Sequence, residues 1–331
     1  MRARWRGWAS ALVAFVVVAG GGSLWFWLQA DPLASPGRVV TVVVKPGDSL
    51  STIGSELHAQ GVIASPLAFR IDAAVFGAPV VLPGSYRLRQ RSSFAAVMGV
   101  LGAPRVTVSV GETLGEVTHA VRAVEGATFA TAFTQALGAA LASHPWGATR
   151  SLEGMIGPGT YTIVAPESAA QLVAQMRDSF AAEAAAVGLR GTSTVAGLDA
   201  YQILTAASIV QKEGYFARNM PRVARVILNR LALGGPLQMD ATVLYALGRD
   251  GGIVTHAMLE TRSPYNTYLV SGLTPTPICT VSATALRAVL HAPPGPWRYF
   301  TVIDAAGTEA FAVTFAQQLA NERLAAARGL P

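Results

Sequence analysis

The 331-residue chain has only 13% charged residues, a net charge of +6, and 33 glycines and 19 prolines. Its single cysteine, Cys279, excludes an intrachain disulfide, and no basic run points to nucleic acid. The five histidines (His58, His119, His144, His256, His291) are scattered without ligand spacing, so neither a metal nor another cofactor is expected.

The N-terminus reads as a membrane anchor. Arg2, Arg4 and Arg6 precede a span from about Trp8 to Leu28 that carries no charge. About twenty apolar residues at helical rise cross a hydrocarbon core. The flanking arginines favour a cytoplasmic N-terminus, and Trp25, Phe26 and Trp27 stand where amphipathic rings prefer the interface. The reading is therefore a cytoplasmic tip at 1–7, a single transmembrane helix at 8–29, and everything after it exported. A cleaved signal peptide competes. It wants a shorter apolar core and small residues at the cut; Gly20 to Ser23 are small, but a bulky Trp-Phe-Trp follows.

After a short linker (Pro32, Ser35, Pro36, Gly37), the β-branched run Arg38–Val44 predicts a strand. Lys45-Pro46-Gly47-Asp48 is a turn, and a helix begins with Asp48 or Ser49 as its cap. This strand, Pro-Gly-Asp-Ser-Leu turn and helix resembles the LysM module, a small fold that binds N-acetylglucosamine polymers. A plain βα unit is the other reading. Leu82–Leu88 looks like a turn into a strand, and the module is placed at 38–104. The phrase recurs: Gly111-Glu112-Thr113-Leu114 echoes Gly47-Asp48-Ser49-Leu50 after another strand-like run, Val106–Val110. In both, a carboxylate or hydroxyl is positioned to cap the new helix.

Residues 127–150 are Ala-rich and predicted helical, with a break at Pro145, and 168–188 form a strong amphipathic helix. Asp199 with Gln202 fits a capping box. The helix that follows is apolar nearly all round, which implies burial, and it closes on Glu213 with Gly214 as its stop. Asn219-Met220-Pro221 starts the next helix, which ends at Gly234-Gly235. Asp240 is read as the cap of a short helix over 241–247, and Ser282 as the cap of one over 283–291. Two strands, 297–303 and 309–314, form a hairpin around Asp304–Gly307, and a last helix covers about 315–326. The expected fold is α+β, with a mixed domain at 105–331 whose core, 198–331, is mainly helical and carries a C-terminal β-hairpin.

The chemistry concentrates at Glu213. An acid held by an apolar helix stays protonated more easily than one in water. Gln238-Met239-Asp240 and Ser263–Tyr268 bring amides and hydroxyls to otherwise apolar sequence. A proton donor with such groups around it suits cleavage of a glycosidic bond. Ser208 has no His and Asp pattern with it, so a serine hydrolase is not supported.

The segments ASIVQKE, RVILNRL, PLQMDATVLYALG and SPYNTYLVSGLTPTPI occur in that order, with VLPGSYRL and EGMIGPGTY before them. Together they resemble the YceG-like family of endolytic murein transglycosylases. The resemblance implies cleavage of the MurNAc-β-1,4-GlcNAc bond inside glycan strands, with 1,6-anhydro-MurNAc ends and no water consumed. It implies Glu213 as the single acid/base, and a partnership with peptidoglycan strands, the inner membrane and peptidoglycan synthases. The location implied is the bacterial cytoplasmic (inner) membrane, with the catalytic domain on the outer face, where cutting emerging strands sets their length. Gln238, Tyr265, Asn266, Glu153 and Asp240 are candidates for holding substrate. Asn229 and Arg230 are read as loop supports. The chain departs from the family in having Gln211 where a Glu is frequent and Ala241 where Pro is usual. Two other readings stay open. A hydrolytic muramidase needs a positioned water and usually a second carboxylate, for which Asp240 is the nearby candidate. A non-catalytic glycan-binding scaffold fits the LysM-like segment but not the retained Glu213.

Overall fold

The computed structural model describes residues 20–142, 146, 151–164, 168–214 and 216–330. Residues 20–30 are helical (α1). The remainder of the expected transmembrane span, 8–19, lies outside the described residues. Among the described residues no helix is long and apolar enough to cross a membrane. The fold is α+β, with helices around small two-stranded sheets. The chain divides into two compact units, one of residues 1–104 and 162–166, the other of 105–161 and 167–331.

In the first unit, β1 (Val39–Val44) and β2 (Gly84–Arg89) pair antiparallel, from Val39 opposite Arg89 to Val44 opposite Gly84. Alternation decides the faces: Val42, Val44, Tyr86 and Leu88 point into the core, and the residues between them point out. Between the strands run α2 (Leu50–Ala59) and α3 (Pro66–Phe76), and α4 (Phe94–Leu101) follows. Ser49 caps α2 by accepting from Thr52 N–H at 3.2 Å, while Asp48 closes the turn by accepting from Lys45 N–H at 2.7 Å. That settles the choice of cap: each side chain satisfies a different orphan donor. The Phe69 and Phe94 rings meet edge to face at 5.5 Å, and Phe26 of α1 packs against Phe94 at 6.5 Å. Helices α3 and α4 were not anticipated in the sequence, although Ser65-Pro66 and Ser93 start them with ordinary cap chemistry.

The second unit holds the larger core. Strand β3 (Arg105–Val108) pairs with β4 (Gly159–Thr162), and α5 (Leu114–Ala142) follows β3. Thr113 and Glu116 form a reciprocal box, with Glu116 N–H donating to Thr113 Oγ1 at 3.2 Å and Thr113 N–H to Glu116 Oε2 at 2.7 Å. Helix α5 breaks at Gly126, whose φ of 84° is left-handed backbone. The expected break at Pro145 lies outside the described residues.

Helix α6 (Ala169–Ala186) precedes α7 (Ala200–Glu213), which packs against α8 (Met220–Ala232) and α11 (Ala283–Leu290). Every residue from Ala200 to Val210 except Gln202 is buried, as all-round apolarity requires. Gly214 does end α7, but with φ −80°, not in the left-handed region. It is needed for closeness: a Cβ there would lie 2.7 Å from Met220 Cγ and 2.9 Å from the Val210 carbonyl. Short α9 (Asp240–Ala246) and α10 (His256–Leu259) follow α8. The hairpin of β5 (Tyr299–Val302) and β6 (Glu309–Ala312) and the final α12 (Phe315–Ala327) complete the unit.

The start of α7 tests the capping argument. Gln202 N–H donates to Asp199 Oδ1 at 2.8 Å, and Asp199 N–H to Gln202 Oε1 at 3.0 Å. Asp199→Ala is expected to lower the unfolding free energy by about 1 kcal/mol, and Asp199→Ser by much less. Denaturant titration of the two variants checks it.

Candidate active site

A cleft of about 650 Å³ opens in the second unit. One side is the end of α7, with Gln211, Lys212 and Glu213; α9 contributes Asp240, Ala241 and Tyr245; the turn Ser109–Thr113 supplies a further wall. Gly111, Glu112 and Thr113 of the phrase that echoes Gly47-Asp48-Ser49 therefore line the cleft. The turn is pinned by Thr280, whose N–H donates to Glu112 O at 2.7 Å and whose carbonyl accepts from Gly111 N–H at 2.9 Å. Thr280 belongs to a buried segment fastened to α7: Ile278 N–H donates to Ser208 Oγ at 3.0 Å, and the buried Cys279 thiol meets Ser208 O.

Glu213 is half-buried in this cleft, and Oε1 accepts from Ala241 N–H at 2.9 Å. Its pKa is raised to about 7. Burial is the main cause, the Ala241 bond opposes it, the charges of Asp240 and Glu309 add to it, and Arg230 opposes it. A carboxyl with this value is available both as acid and as base near neutral pH. Proline has no N–H, so the alanine at 241 supplies a bond to the acid that a proline could not make.

Asp240 departs from the expected cap. The cap position of α9 is Met239, whose side chain makes no capping bond. Asp240 is the first helical residue, and its exposed carboxylate accepts from Tyr268 O–H at 2.5 Å. The helix starts one residue earlier than expected, and Glu213, brought in from α7, takes the Ala241 N–H that a capping side chain at 239 would have used.

The other candidates separate by position. Asp240 joins Glu213 in the cleft, whereas Gln238, Tyr265, Asn266 and Glu153 do not line it. Gln238 is exposed and has φ 51°, with its N–H bonded to Thr267 O at 2.9 Å. Asn266 is fully buried; Nδ2 donates to the Leu259 and Thr261 carbonyls, each at 2.8 Å, and Oδ1 accepts from Tyr268 N–H. Tyr265 O–H pairs with Thr276 Oγ1 at 2.9 Å, and its ring lies 4.9 Å from that of Tyr245. Glu153 is 4% exposed beneath that pair, accepting from Leu114 N–H at 2.9 Å and from Tyr245 O–H at 3.1 Å. Burial raises its pKa to about 7. Asn229 Nδ2 donates to the Gly295 and Trp297 carbonyls, and Arg230 to the Leu237 and Arg298 carbonyls, so both do support loops.

Tyr245 and the Lys212–Asp250 ion pair at 2.5 Å, both on the cleft, were not anticipated in the sequence; each depends on a partner far away in the chain, as does the bond of Tyr268, from the expected Ser263–Tyr268 cluster, to Asp240.

Two expectations follow. Pro221 already occupies the second position of α8, so Ala241→Pro at the second position of α9 is tolerated. It removes the donor that favours the charged form, and the Glu213 pKa rises above about 7; a ¹³C-glutamate NMR titration reads the change. Glu153 binds its proton more tightly folded than unfolded, with a pKa near 7 against an ordinary 4.5. The stability it contributes is present below pH 4.5 and lost as pH rises through about 7. Denaturant titrations at pH 5 and pH 8 are expected to show a smaller difference in Glu153→Gln than in the wild type, by about 1 kcal/mol or more.

Residues 42–324 match the YceG-like family. The endolytic murein transglycosylase of Bacillus subtilis (strain 168) is 26% identical over 309 residues, which cover 86% of this chain and 84% of that protein. The protein of the same name from Streptococcus pneumoniae (strain ATCC BAA-255 / R6) is 27% identical over 85% of this chain, which spans 58% of that longer relative. The solved structure of a yceG-like protein of Listeria monocytogenes superposes with a TM-score of 0.59 at 25% identity, covering 86% of this chain and 99% of that one. With a match over so much of its length, the chain belongs to the YceG-like family.

Proposed function

We propose that this protein is an endolytic peptidoglycan lytic transglycosylase in which Glu213 is the acid/base. The observation that carries the reading is a half-buried carboxyl in an open cleft, held by one N–H and titrating near neutrality. Its relatives' names, endolytic murein transglycosylase, support the substrate class.

Protonated Glu213 gives its proton to the GlcNAc O4 as the MurNAc C1–O4 bond breaks. The MurNAc C6 hydroxyl then bonds to C1, and its proton returns to Glu213. One C–O bond replaces another, no water is consumed, and the acid is regenerated. Since the glycan supplies the nucleophile, the paired carboxylates of a hydrolase are unnecessary. Asp240, bonded to Tyr268, is assigned to orienting the site, and Tyr245 to holding sugar beside the acid.

The uncharged N-terminal segment 8–29 is assigned as a single-pass inner-membrane anchor, which holds the cleft near emerging strands so that cutting ends their growth beside the synthases. The first unit, with two helices between antiparallel strands, is assigned as a LysM-like module.

The test is incubation of the full chain and its Glu213→Gln variant with uncrosslinked glycan strands, followed by mass spectrometry. Internal fragments ending in anhydro-MurNAc are expected from the wild type, and about 10²–10⁴-fold fewer from the variant. Products with an added water overturn the lyase in favour of a muramidase. Absence of products from the folded wild type leaves a glycan-binding scaffold. Activity is expected to fall as pH rises through about 7, since the first step needs the protonated acid.

A further inference from the structure

Helix α9 brings two residues to the cleft one helical turn apart. Ala241 supplies the N–H that holds Glu213, and Tyr245 follows four residues later. Residues at that spacing are neighbours on one helix face, about 5–6 Å apart. A group resting on Tyr245 therefore lies beside the acid.

Tyr245 is half-buried, and its ring is fixed from two directions. The Tyr265 ring packs against it at 4.9 Å, and Tyr265 is itself held through its hydroxyl, 2.9 Å from Thr276 Oγ1. The Tyr245 O–H donates to Glu153 Oε2 at 3.1 Å, and Thr276 bonds the same hydroxyl. Burial, with the Glu153 charge beside it, pushes the Tyr245 hydroxyl above its ordinary range, so it remains a donor.

Glu153 does not line the cleft and is 4% exposed, so a sugar in the cleft does not reach it directly. Its other oxygen accepts from Leu114 N–H at the head of α5, at 2.9 Å, and Gly154 N–H bonds the same carboxyl. The carboxyl is thus anchored in the backbone on one side and holds the Tyr245 hydroxyl on the other. With its hydroxyl committed, Tyr245 offers the cleft its ring and not a free polar tip. An aromatic ring matches the apolar C–H face of a pyranose, and aromatic walls with a few placed polar groups are the usual lining of a ligand cleft.

We propose that Glu153 is a positioning residue that acts through Tyr245, holding its ring as a platform on which the C–H face of a glycan sugar stacks beside Glu213. The carboxyl itself touches no substrate. Its contribution is preorganisation: a ring already fixed loses little freedom when the sugar binds. Because Ala241 and Tyr245 share one face of α9, the platform also sets how far that sugar lies from the acid. The proposal rests on the reading of the cleft as a glycan site, and not on the assignment of Glu213 as the acid.

The experiment is a calorimetric titration of uncrosslinked glycan strands into the full chain carrying Glu213→Gln, so that no strand is cut. Glu153→Leu, Tyr245→Phe and the pair are compared in that background. Tyr245→Phe keeps the ring and removes only the hydroxyl. Each single change is expected to raise Kd about three- to tenfold, through the freedom the ring regains. The pair is expected to cost no more than either change alone, since both remove the same tie. Glu153→Gln, whose amide still reaches the Tyr245 hydroxyl, recovers most of the loss. Tyr245→Leu, which removes the ring, weakens binding further than Tyr245→Phe. Thermal unfolding identifies a Glu153→Leu protein that does not fold, and Tyr245→Phe then carries the test. An unchanged Kd in folded Tyr245→Phe, or single effects that multiply in the pair, overturns the role of Glu153. Binding by Tyr245→Leu as tight as by Tyr245→Phe overturns the platform. A protein that binds no glycan strand overturns the reading of the cleft and this proposal with it. Coupled effects in a protein whose wild type forms no anhydro ends uphold the platform and overturn the acid assignment alone.

Discussion

The hydrogen bond from Ala241 N–H to Glu213 Oε1, 2.9 Å long, joins the C-terminal end of α7 to the first turn of α9, and the cleft is organised about that junction. Two opposed fields meet there. Burial and the negative end of α7 disfavour a carboxylate, while a backbone donor of α9 favours one. The result is a value of about 7, not that of an ordinary surface glutamate. If the donor were lost, burial would go unopposed; if the helix were solvated, the acid would be ionised at neutrality and have no proton to give.

Keeping that junction in place occupies most of the polar groups near it. Thr267 Oγ1 accepts from Met239 N–H at 3.0 Å and pairs with Thr242 Oγ1 at 2.8 Å, lacing the Ser263–Tyr268 loop to the start of α9. Asn266, fully buried, spends its amide on the backbone of the same loop. Also at the end of α7, Gln211 Oε1 accepts from both N–H and Oγ of Ser282 at the head of α11. A carboxylate at 211 would put a second negative charge at the end of the helix, whereas the amide fastens α11 without it. Such buried polar groups specify one loop arrangement because each is costly when unpaired.

Beneath the cleft, Glu153 connects the head of α5 to Tyr245 of α9, so the two walls rest on one buried carboxyl. Gly154, with φ 76° and the Pro277 ring 2.8 Å from where a Cβ would stand, allows the Glu153 loop to pack that tightly. Both walls therefore share a foundation with the loop that carries Cys279.

Local rules were enough for much of this molecule. The capping box at Asp199, the all-round apolarity of α7, Glu213 at its end and the hairpin at Asp304–Gly307 are all short-range features. A helix start or a burial stripe is set by residues within one or two turns, and those are visible in order along the chain. The same locality misassigned Asp240 as a cap, because the helix starts one residue earlier and its cap position falls on Met239. It gave no hint that Tyr268 would hold Asp240 or that Tyr245 would rest on Glu153. Chain order is enough to show which helix ends in an acid. The acid's proton affinity and its neighbours are set by the folded chain, because burial, Coulomb forces and long-range hydrogen bonds depend on distances that chain order does not contain.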